Sequence, residues 1–178
     1  CLPPDAASQV RKSLGLSTGD PLRIAFICGP GDVVGTFDHW SKREHDPRTP
    51  VIAYSSMFYS LITAIDAEAL MLVEQSAIPK TPDPRFRFVH TTRDRSRRGI
   101  RYRLDQRNFA SAVLRNLREY RPHVILVGTD APDGLIARLP KGPKIIMTTH
   151  NTYWPMGARP TDLKARLKLA VTSRALRR

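Results

Sequence analysis

Three glycines, Gly29, Gly31 and Gly35, follow directly on the apolar run Leu22-Arg23-Ile24-Ala25-Phe26-Ile27-Cys28. A glycine loop at a strand end can turn its backbone N–H groups toward phosphate and let a ligand approach the chain closely. The spacing departs from the dinucleotide fingerprint. Its third glycine would stand at position 34, which is Val34, and Gly35 comes one residue late. A plain strand-to-loop turn is therefore the competing reading. Asp130, after Gly128-Thr129, can orient a sugar hydroxyl or act as a base, or it can simply form the turn before Ala131-Pro132. His150, followed by Asn151, is the histidine placed for polar contact or proton transfer, the alternative being a capped loop histidine.

Other chemistries find less support. His39 and His45, with Asp38 and Asp46, share one segment but lack a recognisable metal-ligand spacing, so no metal site is expected. No nucleophile elbow supports Ser/His/Asp catalysis. The two cysteines, Cys1 and Cys28, make no disulfide framework, and a cytoplasmic setting is expected.

These residues must be held by regular elements, and the apolar periodicity supplies them. Strands are expected at about 23–28, 69–73, 86–90 (an edge strand), 123–127 and 144–149. Helices are expected at 5–14, from Ser55-Ser56 through Ile65, at 105–120 and 134–139, and as a basic amphipathic helix from Thr161 onward. Strand and helix alternate with no hairpin signal between them. That pattern predicts an α/β fold with a Rossmann-like, doubly wound parallel sheet. In such a sheet the residues just past each strand share one crevice, so Gly29–Gly35, Asp130 and His150–Asn151 converge despite their separation in sequence. Residues 29–50 show no periodicity and read as a lid or binding loop, with Phe37 and Trp40 among charges.

The chain has 178 residues and a formal charge of +13. The length suits one domain with a real core, and the charge calls for an anionic partner. Arg85 to Arg107 holds nine arginines against two aspartates. A solvated basic loop, nucleic-acid binding, and contact with anionic lipid or a phosphate-bearing acceptor are the three readings. Sparse aromatics disfavour nucleic acid. No apolar stretch approaches the ~20 residues needed to span a bilayer. The expected organisation is a flexible lead-in at 1–20, a domain at 21–160 and a linker helix at 161–178. Because the chain opens on Cys1 and ends on the basic run after Arg174, it is expected to be a fragment.

With the strands placed, the run from Arg23 to about Arg174 resembles the N-terminal half of a GT-B-fold glycosyltransferase of the family-four, or group 1, type. The matching pieces are Arg23-Ile24-Ala25-Phe26-Ile27 with the glycine loop, Tyr54-Ser55-Ser56-Met57-Phe58-Tyr59, Arg121-Pro122-His123-Val124-Ile125-Leu126-Val127, and Ile145-Ile146-Met147-Thr148-Thr149-His150-Asn151. The resemblance implies an acceptor-binding domain facing a second, nucleotide-binding Rossmann-like domain that this chain lacks. It implies Gly29, Gly31, Gly35 and Asn151 near the donor diphosphate, and His150 near the reacting sugar. Asp130, Trp40, Arg97, Arg98, Arg101 and Arg103 would face an acceptor that is anionic or lipid-linked.

The expected function is transfer of a sugar from a nucleoside-diphosphate sugar to a hydroxyl, with no other cofactor and no turnover by this chain alone. Location at the inner face of an anionic membrane goes with it. The rival classes are a non-catalytic basic module for RNA or anionic lipid, and another enzyme on the same fold, such as a sugar epimerase.

Overall fold

The computed structural model describes residues 2–48, 54–96, 98–128 and 131–148, together with 162, 163, 166, 167 and 170. The chain runs α1 (Ala6–Ser13), β1 (Leu22–Ile27), α2 (Val33–Ser41), α3 (Tyr54–Ala64), β2 (Ala67–Val73), β3 (Phe86–His90), α4 (Gly99–Tyr120), β4 (Val124–Val127), α5 (Asp133–Ile136) and β5 (Lys144–Met147). The five strands form one sheet in the order β3-β2-β1-β4-β5, and every pairing is parallel. The expected α/β, Rossmann-like architecture is what the chain adopts.

Why the three inner strands read as nearly unbroken apolar runs is plain from the packing. Successive side chains point to opposite faces, and both faces of a parallel sheet are covered by crossover helices. Ile24, Phe26, Ala69, Met71, Val124 and Leu126 pack with Val33 and Phe37 of α2 and Phe58, Tyr59 and Ile62 of α3. Their neighbours Ala25, Ile27, Leu70, Leu72, Ile125 and Val127 pack with Phe109, Val113 and Leu117 of α4 and Leu135 of α5. In-register partners hold each layer together: Phe26 stands beside Met71 on one side and Leu126 on the other. β3 is an edge strand, as its alternating pattern predicts.

Three expectations are corrected. Residues 29–50 are not one irregular lid, because α2 occupies Val33–Ser41. Asp32 caps it, its carboxylate accepting from the Gly35 amide at 2.9 Å, and Val33, Val34 and Phe37 are its buried side. Trp40 is not a lid aromatic either. Its ring lies 5.4–5.6 Å from those of Phe37, Tyr59 and Phe86, and its indole N–H donates to Ser60 Oγ at 3.0 Å. Finally, α4 begins at Gly99, six residues before the expected Asp105. Residues 98–104 are exposed on every side, so no burial period marks them. The lead-in, for its part, carries α1, whose Ala7 and Val10 lean on the core while Arg11 donates to the Ile65 and Asp66 carbonyls.

Phe37 is the hub of the α2–α3 layer, fully buried among Trp40, Tyr59, Phe86 and Phe88. Phe37→Ala is expected to cost about 3–5 kcal/mol. Tyr59→Phe keeps the ring but removes the buried hydroxyl, which donates to the Val33 carbonyl (2.8 Å) and is also hydrogen-bonded to Ser55, and should cost about 1–2 kcal/mol. Urea unfolding of the two variants checks the ranking, and equal losses would contradict this account of the core.

Candidate functional site: the crevice at the carboxyl edge of the sheet

The order of the strands decides where a crevice can form. From β1 the chain winds outward to β2 and β3, then crosses back through α4 and winds the other way through β4 and β5. Crossovers leaving β1 and β4 therefore diverge onto opposite faces, and the gap between them opens at the carboxyl ends of these two strands. The glycine loop sits at this switch point.

Cys28 leaves β1 still held by the sheet, its amide donating to the Leu72 carbonyl at 3.0 Å. Burial pushes its thiol far above the ordinary thiol range, with the nearby Glu74 charge adding to the effect. It is a packing residue, not a nucleophile. On the far wall, the Gly128 amide donates to the Ile27 carbonyl at 2.9 Å. A Cβ at Gly128 would stand 3.0 Å from that carbonyl and 3.2 Å from the Gly29 nitrogen. Two strand ends can approach this closely only because position 128 is glycine.

Gly29 and Gly31 differ from it. Among the described residues a Cβ at either would meet nothing within 4 Å, and neither has a positive φ. Packing and backbone conformation therefore do not account for a glycine at either position. The Gly31 carbonyl faces inward, accepting from the Val33 amide at 2.9 Å and from the Gln75 side-chain amide. Gly35 plays a third role. Its amide is taken by the Asp32 cap, and a Cβ there would collide with the Asp32 carboxylate and the Arg48 guanidinium. It serves the cap rather than offering a free donor.

Below the cap lies an ion-pair cluster that the sequence pattern did not announce. Arg48 bridges Asp32 and Asp46, holding Asp46 at 2.8–2.9 Å through Nη2 and Nε. Asp46 is only 6% exposed and also accepts from Thr36 at 3.3 Å. The Arg48 hydrogen bonds hold its carboxyl well below the usual carboxylate range. The cluster ties the segment after α2 back onto the first turn of that helix.

On the β1 side of the crevice, Glu74 follows the neighbouring strand β2 and takes Arg93 (3.3 Å) and Arg95 (2.8 Å). Burial would raise its carboxyl, but the two guanidiniums override that and lower it. Arg93 also lies over the Phe109 ring at 5.1 Å. Two of the nine clustered arginines are thus structural. Across the sheet, the Tyr54 hydroxyl pairs with Thr148, itself bonded to the Val127 carbonyl at 3.2 Å. Burial raises the Tyr54 hydroxyl above its usual range despite that bond.

Of the predicted site residues, the structure brings Gly29, Gly31 and Gly35 to this edge. It also brings Arg98, Arg101 and Arg103 there, since α4 begins after the carboxyl end of β3. Trp40 is not among them. It packs against Phe86, the first residue of β3, toward the opposite edge. Asp130, Arg97, His150 and Asn151 lie outside the described residues. Sequence reasoning missed Gly128 as a packing glycine, along with Gln75, Glu74, Arg48, Tyr54 and Thr148. Gly128 carried a signal, since it follows an apolar strand as Gly29 does. A separate groove of about 1080 Å3 runs between Met57 and Leu61 of α3 and Val124, Leu126 and Ile146 of the sheet. The glycine loop is not part of its lining. Among the described residues no group of three His, Cys, Asp or Glu side chains is placed to hold a metal, and no helix is long and apolar enough to cross a membrane.

The Asp46 cluster makes an acid-range prediction. A carboxyl whose folded pKa is depressed stabilises the fold above its unfolded value, near pH 4, and that contribution is lost as the pH falls toward the folded value. Asp46→Asn should be less stable than the parent at neutral pH, with the gap narrowing as the pH drops below about 4. Urea midpoints at neutral and strongly acid pH measure it, and a gap independent of pH would refute the assignment.

Comparison with protein-family models, with curated proteins and with solved structures finds no match to this chain. The Rossmann-like reading of the fold therefore stands on the strand order and parallel pairing themselves.

Proposed function

We propose that the chain is the acceptor-side half of a glycosyltransferase that moves a sugar from a nucleoside-diphosphate sugar to a hydroxyl. The observation that carries this reading is the pair Gly29 and Gly31. They stand at the switch point of a Rossmann-like sheet, and nothing in their backbone conformation or in the packing of the described residues calls for glycine there. Side-chain-free backbone at such a position leaves room for a ligand as bulky and charged as a diphosphate to come within hydrogen-bonding distance.

In this reading the chain contributes positioning and charge stabilisation rather than covalent chemistry. Backbone N–H groups of the glycine loop stabilise the negative charge that grows on the departing diphosphate. His150 and Asn151, which follow β5 in sequence, supply polar contacts to the sugar, and Asp130 orients the acceptor hydroxyl. A second Rossmann-like domain with donor-binding carboxylates closes the crevice from the other side. The acceptor is anionic or lipid-linked, reaching the site past Arg98, Arg101 and Arg103. A second reading, a non-catalytic basic module for RNA or anionic lipid, is favoured by the unpaired arginines of α4. Steep salt dependence of binding with no response to nucleotide-sugar would select it.

An amide NMR titration with nucleoside-diphosphate sugars tests the proposal. Weak binding is expected, with shifts at Gly29, Gly31 and Gly128 and no sugar transfer. Gly128→Val, which drives a side chain against the Gly29 nitrogen and the Ile27 carbonyl, should abolish those shifts at other residues of the loop while the sheet stays folded. Absence of shifts at the loop, or turnover by these 178 residues alone, would overturn it.

A further inference from the structure

The arginine-rich segment separates into two groups once its partners are identified. Arg85 pairs with Asp83, Arg87 with Glu119, and Arg93 and Arg95 with Glu74. Arg98, Arg101, Arg103 and Arg107 are exposed and make no ion pair with any described residue. All four lie at or within the first turns of α4. Farther along the same helix, Arg115 and Arg118 are exposed as well. Only two acids occur in α4: Asp105 is buried and Glu119 is engaged by Arg87. The outward side of this 22-residue helix is therefore almost purely cationic.

Large apolar side chains stand within that cationic strip. Ile100 is 76% exposed and Leu104 54%, one helical turn apart. At 100° per residue Ile100 lies about half a turn from Phe109, the first large core residue of α4. Ile100 and Leu104 thus point away from the domain, not toward an unfilled part of its core. A helix that only needed solubility would place polar residues there, and one that only gripped a phosphate backbone would gain nothing from aliphatic side chains. Aliphatic residues flanked by arginine match the boundary between lipid headgroups and acyl chains.

We infer that α4 is a membrane-docking helix: its arginines bind the headgroups of an anionic bilayer while Ile100 and Leu104 enter the headgroup–acyl boundary. The inference does not depend on the transferase reading. Its geometric consequence is that the helix start and the crevice share one edge of the sheet, so docking brings the glycine loop close to the lipid surface.

Vesicle flotation of the full chain tests it, using phosphatidylcholine vesicles and vesicles with about one-third phosphatidylglycerol. Binding is expected only to the anionic vesicles, weakening as salt is raised. Ile100→Ser with Leu104→Ser should weaken it about fivefold or more, and Arg101→Gln with Arg103→Gln and Arg107→Gln about tenfold or more. All five positions are exposed, and circular dichroism checks that each variant folds. Nucleotide-sugar binding by the serine variant should be unchanged, which keeps this test separate from that of the crevice. Vesicle binding insensitive to both sets would place the contact elsewhere. Loss with the arginine set alone would mean superficial charge attraction without insertion. Preferential binding of an oligonucleotide at the same salt, lost in the arginine variant, would make the partner a nucleic acid. Self-association abolished by the serine variant would make it a second copy. Any of these four outcomes overturns the inference.

Discussion

The parallel pairing of β1 with β2 on one side and β4 on the other is the constraint on which the rest of the structure depends. A strand inside a parallel sheet must be joined to its neighbours by crossovers that cover both faces, so β1 has no solvent side on which to place polar residues. Its burial is nearly complete, with Arg23 the one exception. The same constraint places function. Because the chain leaves β1 in one direction and returns to β4 from the other, the loops after these strands part and leave an opening. Gly128 sets its inner limit by holding the two strand ends in backbone contact. The glycines at 29 and 31 lie just outside that limit, where the packing of the described residues demands nothing of them.

How much of this was legible follows from how burial writes itself into sequence. The three inner strands were readable because two-sided burial leaves nearly uninterrupted apolar runs between turn residues, whereas the edge strands β3 and β5, which are largely exposed, showed through the alternation of Phe86-Arg87-Phe88 and the short apolar run Ile145-Ile146-Met147. α3 and the second half of α4 were readable because one-sided burial leaves a helical period, as at Phe58 and Ile62, or Phe109, Val113 and Leu117. α2 was hidden for the opposite reason. Its buried face is short, Val33, Val34, Thr36 and Phe37, and Gly35 stands inside it. Glycine ordinarily argues against a helix, but here the Asp32 cap and Arg48 occupy the space a side chain would need. The start of α4 was hidden because a helix that packs against nothing has no burial period to show.

Charged residues were the least legible of all, since the same letter serves opposite ends. Asp46 and Arg48 read as ordinary loop charges, yet the aspartate is buried and the pair anchors the segment that leaves α2. Arg93 reads like its neighbours in the arginine run, but it is buried between Glu74 and the Phe109 ring. Only pairing separates such residues from Arg101 or Arg103. A count of nine arginines says that the segment is basic; the structure says which of them are already committed.

That separation changes what the net charge of +13 means. A diffuse excess would raise solubility and attract any polyanion weakly. Here part of the arginine segment is neutralised within the fold, and the remainder is gathered along α4, where its field falls on one side of the molecule. Screening confines such a field to about 8–10 Å at physiological salt, so it acts on a partner lying against the helix rather than on one across the domain. The crevice and the cationic strip meet only at the carboxyl edge of the sheet. Any anionic group drawn to the start of α4 is therefore drawn to the same edge at which the glycine loop opens, and the fold achieves this simply by starting α4 after the carboxyl end of β3.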